Sequence, residues 1–156
     1  MSGKTLAIIL LATALVAGVA MYWLQIYAFY DELEPSEVEI ELTSAETGRP
    51  EPVAVDEMRA IDANSSPLRF RACFTLRAEP AALAGQYVEM EGAVPLTGPG
   101  WFECYDAGAI GTALASGEAD AYLGERNIAD GVDRVIAVFP DGRGYAWHQL
   151  NEKYED

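Results

Sequence analysis

From Thr5 to Tyr30 the chain reads TLAIILLATALVAGVAMYWLQIYAFY, twenty-six consecutive positions with no charged side chain and Gln25 as the only strongly polar one. A helix needs about 20 apolar residues, each rising about 1.5 Å, to cross a hydrocarbon core of about 30 Å, so this run is long enough with tilt to spare. Residues 1–30 are therefore expected to form a transmembrane signal-anchor helix, with residues 5–30 in contact with the lipid bilayer. Aromatic side chains gather at its C-terminal end (Tyr22, Trp23, Tyr27, Phe29, Tyr30), where amphipathic rings settle at the headgroup level. Lys4 and the terminal amine flank its start, whereas the next basic residue is Arg49. The positive-inside rule then puts the N-terminus in the cytoplasm and residues 31–156 on the outer side. The competing reading is a cleaved signal peptide, with Gly18 and Ala20 as the small residues before the cut. Against it, the apolar run continues as MYWLQIYAFY, which a mature soluble domain would have to bury.

The rest of the chain is a different medium. The whole sequence has 25 Asp and Glu against 10 Lys and Arg, a net charge of −15, a pI near 4.2 and a mean hydropathy of +0.04. Without the first thirty residues, 126 remain, with nine bases against all 25 acids and a net charge of −16. A nucleic-acid partner is excluded, because phosphate-backbone readers carry a basic stripe. No repeat, low-complexity tract or block of like charge divides this segment, so residues 31–156 are expected to be one acidic extracytoplasmic domain.

Its patterning predicts an α+β fold: an antiparallel sheet with one or two short helices behind the transmembrane helix. Pro35 is expected to stop the helix, and Val38, Ile40 and Leu42 alternate with Glu37, Glu39 and Glu41 as in a half-buried strand. Leu68, Phe70, Ala72, Phe74 and Leu76 alternate with Arg69, Arg71, Cys73, Thr75 and Arg77, the cleanest strand in the chain. Gln86 to Glu91 reads as a further short strand, and Val53 to Ala60 is ambiguous. Asp106 as N-cap and Gly117 as stop frame a short helix, and Val132–Phe139 with Tyr145–Leu150 reads as a hairpin around Asp141–Gly144.

Few residues in this pattern carry chemistry. Cys73 and Cys104 form either one structural disulfide, favoured outside the cytoplasm, or a pair of unbonded, partly buried thiols. His148, the only histidine, reads either as an ordinary hydrogen-bonded strand residue or as a ligand with Cys73 and Cys104, although their spacing matches no metal motif. The sequence holds no Walker A, G-x-G-x-x-G, H-E-x-x-H, C-x-x-C or kinase motif and no nucleophile elbow, so no catalytic, cofactor-binding or metal-binding residue is assigned. Arg69, Arg71 and Arg77 share one side of the alternating strand. They either pair with Glu37, Glu39 or Glu41 or form a positive stripe for anion or partner docking.

Taken together, Tyr-Ala-Phe-Tyr after the anchor, SSPLRFRACF (65–74), WFECYDA (101–107), GVDRV (131–135) and WHQLN (147–151) resemble an uncharacterised family of small bacterial single-pass proteins classed as a domain of unknown function. The resemblance spans almost the whole chain. Members sometimes carry a histidine-kinase label, which this sequence contradicts: it has no ATP-binding motif and is too short for a kinase core. The resemblance implies the inner membrane with residues 31–156 in the periplasm, and it carries over no site residue. Three functions are then expected in descending order: a membrane-anchored accessory or interaction protein of an envelope complex, bound through another membrane protein; a thiol-redox or metal-handling envelope enzyme using Cys73, Cys104 and His148; and a ligand-sensing domain with an arginine-lined anion site.

Overall fold

The structure, a computed structural model, describes residues 2–27 and 29–154. The chain divides into two compact units, Met1–Tyr30 and Asp31–Asp156.

Helix α1 runs Gly3–Ile26, with Ser2 as N-cap accepting from the Thr5 amide. Leu, Ala and Met favour this geometry. Thr13 turns its hydroxyl back onto the Ile9 carbonyl at 2.9 Å, which hides a polar group that hydrocarbon could not satisfy. Twenty-four residues make about 36 Å of helix; their mean hydropathy reaches 2.2 and none is buried within the protein. The helix fits a single-pass membrane anchor or a signal sequence. Pro35 is not its stop, contrary to expectation. The helix closes at Ile26, and Asp31–Leu33 is already strand β1, because its backbone pairs antiparallel with Asp62–Ala60.

The second unit is α+β. Strands β1, β4 (Val55–Asp62), β5 (Arg71–Leu76), β6 (Asp120–Ala129), β7 (Val132–Val138) and β8 (Arg143–Leu150) form one antiparallel sheet in the order β1-β4-β5-β8-β7-β6. A ribbon of β2 (Glu41–Thr43) and β3 (Pro50–Pro52) forms a second, two-stranded sheet, and helix α2 spans Ala107–Ser116 with Asp106 and Gly117 as its caps. The segment expected to be a strand from Val38 starts only at Glu41, after a 3₁₀ turn at Pro35–Glu37. Gln86–Glu91 supplies isolated bridges, Tyr87 to Ser44 and Glu89 to Tyr122, rather than a strand. Strand β6 had no forecast: its register slips at Leu123/Glu125 and again before Ala129, so its alternation breaks twice.

One face of the sheet carries the main core, where Phe70, Ala72, Phe74 and Leu76 meet Ile40, Leu42, Tyr122, Ile136 and Val138. The ribbon crosses β6 over Gly124, whose missing side chain makes the approach feasible. A Cβ there would stand 3.1 Å from the Arg134 carbonyl and 3.2 Å from that of Glu41. Thr43 locks the crossing by donating to the Gly124 carbonyl at 2.8 Å.

Candidate functional site

Strand β5 carries two of the residues singled out by sequence, Arg71 and Cys73, and it is covered on both sides. Opposite the core face, Cys73 is disulfide-bonded to Cys104, 31 positions further on in sequence, with Cα atoms 6.3 Å apart. The bond fastens the segment 95–105 over the strand. Arg71, 3% exposed, reaches under the same segment. Its Nε donates to the Leu96 carbonyl at 2.8 Å and Nη2 to that of Thr97 at 3.0 Å, while Nη1 serves Leu68 (2.8 Å) and Phe70 (2.6 Å). Its guanidinium also stands 5.7 Å from the centre of the buried Tyr105 ring. Burial lifts the Tyr105 phenol far above its ordinary range despite that positive neighbour.

On β8 the side chain of Gln149 does similar work. Its carbonyl accepts from the Val94 amide (2.9 Å) and from the indole of the fully buried Trp147 (3.1 Å), and its amide donates to Gly92 (3.3 Å). A loop laid on a sheet must satisfy its main chain somewhere, since each unpaired buried group costs about 1–3 kcal/mol.

The expected arginine stripe does not form. Arg69 precedes β5, Arg71 is buried, and Arg77 lies past the end of the strand, where its Nε donates to Asp56 at 2.7 Å. That hydrogen bond holds the Asp56 carboxyl below its ordinary value and raises Arg77. Four of the Arg71 hydrogen bonds go to carbonyls rather than to Glu37, Glu39 or Glu41. The cause is the cover: alternation assigns Arg71 a face, but that face is roofed rather than wet.

His148 lies on the core side, so it does not join the two cysteines. Register settles this, because Cys73 is opposite Tyr145 and Arg71 opposite Trp147, which puts 145, 147 and 149 on the disulfide side and His148 on the other. Among the described residues no three His, Cys, Asp or Glu side chains gather where one ion could be held.

A different cluster forms around the histidine. Its Nδ1 lies 2.7 Å from the Pro67 carbonyl and its Nε2 3.1 Å from Nε of Arg134. A carbonyl only accepts and a guanidinium only donates, so the ring is neutral with its proton on Nδ1. The imidazole stacks on Phe70 (4.8 Å, 21°), and the Arg134 guanidinium sits 4.3 Å from the centre of the same ring. Burial, reinforced by the charges of Arg134 and Arg71 and opposed by the Pro67 bond, lowers the His148 pKa from 6.5 to about 4. Desolvation also lowers Arg134, against Glu125, Asp62 and Glu41, and raises the carboxyl of Asp62.

Sequence reasoning missed Arg134, although the hairpin turn at Asp141–Gly142 was enough to find it. Residues equidistant from that turn face each other, and Arg134 is the partner of His148. It also missed the fully buried Asp133, whose Oδ1 accepts from the Asn127 amide (2.9 Å) and from Asn151 (2.8 Å), tying β6, β7 and the end of β8 together. A lone aspartate among valines is the signal it left.

No curated protein and no solved structure matches this chain. Residues 40–156 match the Family of unknown function (DUF6446), and the chain belongs to that family.

Proposed function

With membership of a family of unknown function as the premise, we propose that this protein is a membrane-anchored extracytoplasmic interaction module, an accessory or assembly subunit of an envelope complex. Residues 1–30 anchor it in the bacterial inner membrane with the N-terminus in the cytoplasm, and the acidic domain 31–156 works in the periplasm. The observation that carries this reading is the joint presence, in one chain, of an apolar helix with no buried residue and a disulfide between Cys73 and Cys104. Disulfides persist outside the cytoplasm, on the side to which Lys4 and the positive-inside rule assign the domain. The thiol-enzyme alternative gains no support: the cysteines are bonded to each other and His148 faces away. The arginine-lined sensor loses its stripe through the burial of Arg71.

Protease treatment of spheroplasts expressing the full chain, followed by carbonate extraction and intact-mass measurement, tests the reading. Full-length protein held in the membrane, cleaved from outside and inert to alkylation before reduction, is the expected result. Mature protein lacking about the first twenty residues, or thiols that label without reductant, overturns it. Crosslinking in mild detergent then tests the partner, and failure to recover any other membrane protein removes the subunit role.

A further inference from the structure

The polar contacts of His148 and Arg134 reach beyond the sheet. Arg134 Nη1 donates to the Glu39 carbonyl at 3.3 Å, in the extended stretch between the Pro35–Glu37 turn and β2. That strap inserts Ile40, 1% exposed, and then Leu42 into the main core. The Val53 amide also donates to the Ile40 carbonyl, at 2.9 Å. One arginine rotamer thus serves three contacts: the lone pair of His148, the face of Phe70 and the carbonyl of Glu39.

We propose that His148 and Arg134 form an acid-released latch that holds residues 38–40 on the sheet. A solvent proton can add to His148 only at Nε2, because Nδ1 already carries one and donates it to Pro67. Protonation converts the acceptor of the Arg134 bond into a donor. Two cations then oppose each other across the 3.1 Å of the former bond on one aromatic ring. The Pro67 bond survives, so the imidazole stays and the guanidinium leaves, and the Glu39 bond leaves with it.

The charged groups facing the pair set the conditions. Arg71 acts from β5 and raises the cost of the second positive charge. Asp62 at the end of β4, Glu41 on β2 and Glu125 on β6 attract Arg134. Desolvation pushes the Asp62 carboxyl up, so its charge fades as the pH falls, which withdraws a counter-ion from the closed state. The expected result is local: the strap opens while the β5-β8-β7 pairings remain, exposing the apolar strip beneath Ile40 in an acidified compartment.

Because the chain has one histidine, its ring resonances can be followed without ambiguity. Full-length protein in detergent micelles or nanodiscs is titrated from pH 7 to 4 by NMR, with hydrogen exchange of residues 38–41 and of β7 and β8 measured alongside. The latch requires an Nδ1–H tautomer at neutral pH and a ring that titrates well below its ordinary 6.5, near 4. It also requires a loss of about tenfold or more in protection of 38–41 over that range, beyond any change in β7 and β8. His148→Gln, which can still bridge Pro67 and Arg134 but does not titrate, is expected to keep the strap protected to pH 4. A ring that titrates near 6.5, a strap indifferent to the ring's protonation, or a His148→Gln strap that opens as the natural one does overturns the latch. Should that variant fail to fold, the first two readings on the natural protein decide alone.

Discussion

One face of the sheet is closed mainly by apolar side chains, with Ile40, Leu42 and Tyr122 packed on Phe70, Phe74 and Ile136. The opposite face buries Val135, Trp147 and Phe102 as well, but adds bonds to them, since the guanidinium of Arg71, the amide of Gln149 and one disulfide hold loop backbone on the strands. The two means fail differently. Apolar burial is spread over many contacts of about 0.1–0.2 kcal/mol each and degrades gradually. A buried guanidinium serving four carbonyls is concentrated, and losing it strands all of its partners at once.

The largest expected effect therefore lies on the bonded face. Arg71→Met keeps an apolar stem in place of the arginine's own and removes every donor, and it should cost about 4 kcal/mol by urea or thermal unfolding. A loss below about 1 kcal/mol would mean that segment 95–105 is held by apolar contacts after all, and the contrast between the faces would collapse. Next comes the covalent tie. Replacing both Cys73 and Cys104 by Ala opens a loop of 31 positions, worth about 3.5 kcal/mol in the chain-entropy treatment. The change should leave hydrogen exchange of the main core unaltered relative to global stability while 95–105 becomes the fastest-exchanging part of the sheet cover. Uniform acceleration instead would show the two faces to be one cooperative unit.

The contrast also explains which parts of the molecule were legible beforehand. Helix α2 and the β7–β8 hairpin depend on neighbours in sequence: Asp106 caps, Gly117 takes the left-handed conformation with φ 73°, and the turn follows Asp141. They could be read from those residues directly. The core face of β5 was equally plain, because Phe70, Ala72, Phe74 and Leu76 alternate. Alternation sorts residues between two faces, however, and says nothing about what lies over each. The roof over Arg71 comes from residues 25 positions away, so a buried staple read as an exposed stripe. Strand β1 was hidden for the same reason: a short acidic segment has no β pattern of its own and takes its conformation from Ala60–Asp62. Arg134 was legible in principle through the hairpin register, whereas its bond to Glu39 joins segments 95 positions apart and has no local trace.

The smallest effect gives the sharpest comparison, because it touches the bonded face through an element that packs by apolar contact. Helix α2 buries only Ile110 and Ala113, too little to hold ten residues helical without help at the ends. The Asp106 carboxylate supplies it by accepting from the Ala109 amide at 3.0 Å. Asp106→Ala should cost about 1 kcal/mol, a fall in Tm of about 3–4 °C for a domain of this size. The Gly117 cap stays, so fraying should begin at Ala107 and spread inward toward Ile110. Exchange of the Ala109 and Ile110 amides should accelerate well beyond the global change. If it tracks global unfolding instead, the disulfide one turn upstream already holds the helix start, and the covalent tie, rather than the cap, organises this side of the sheet.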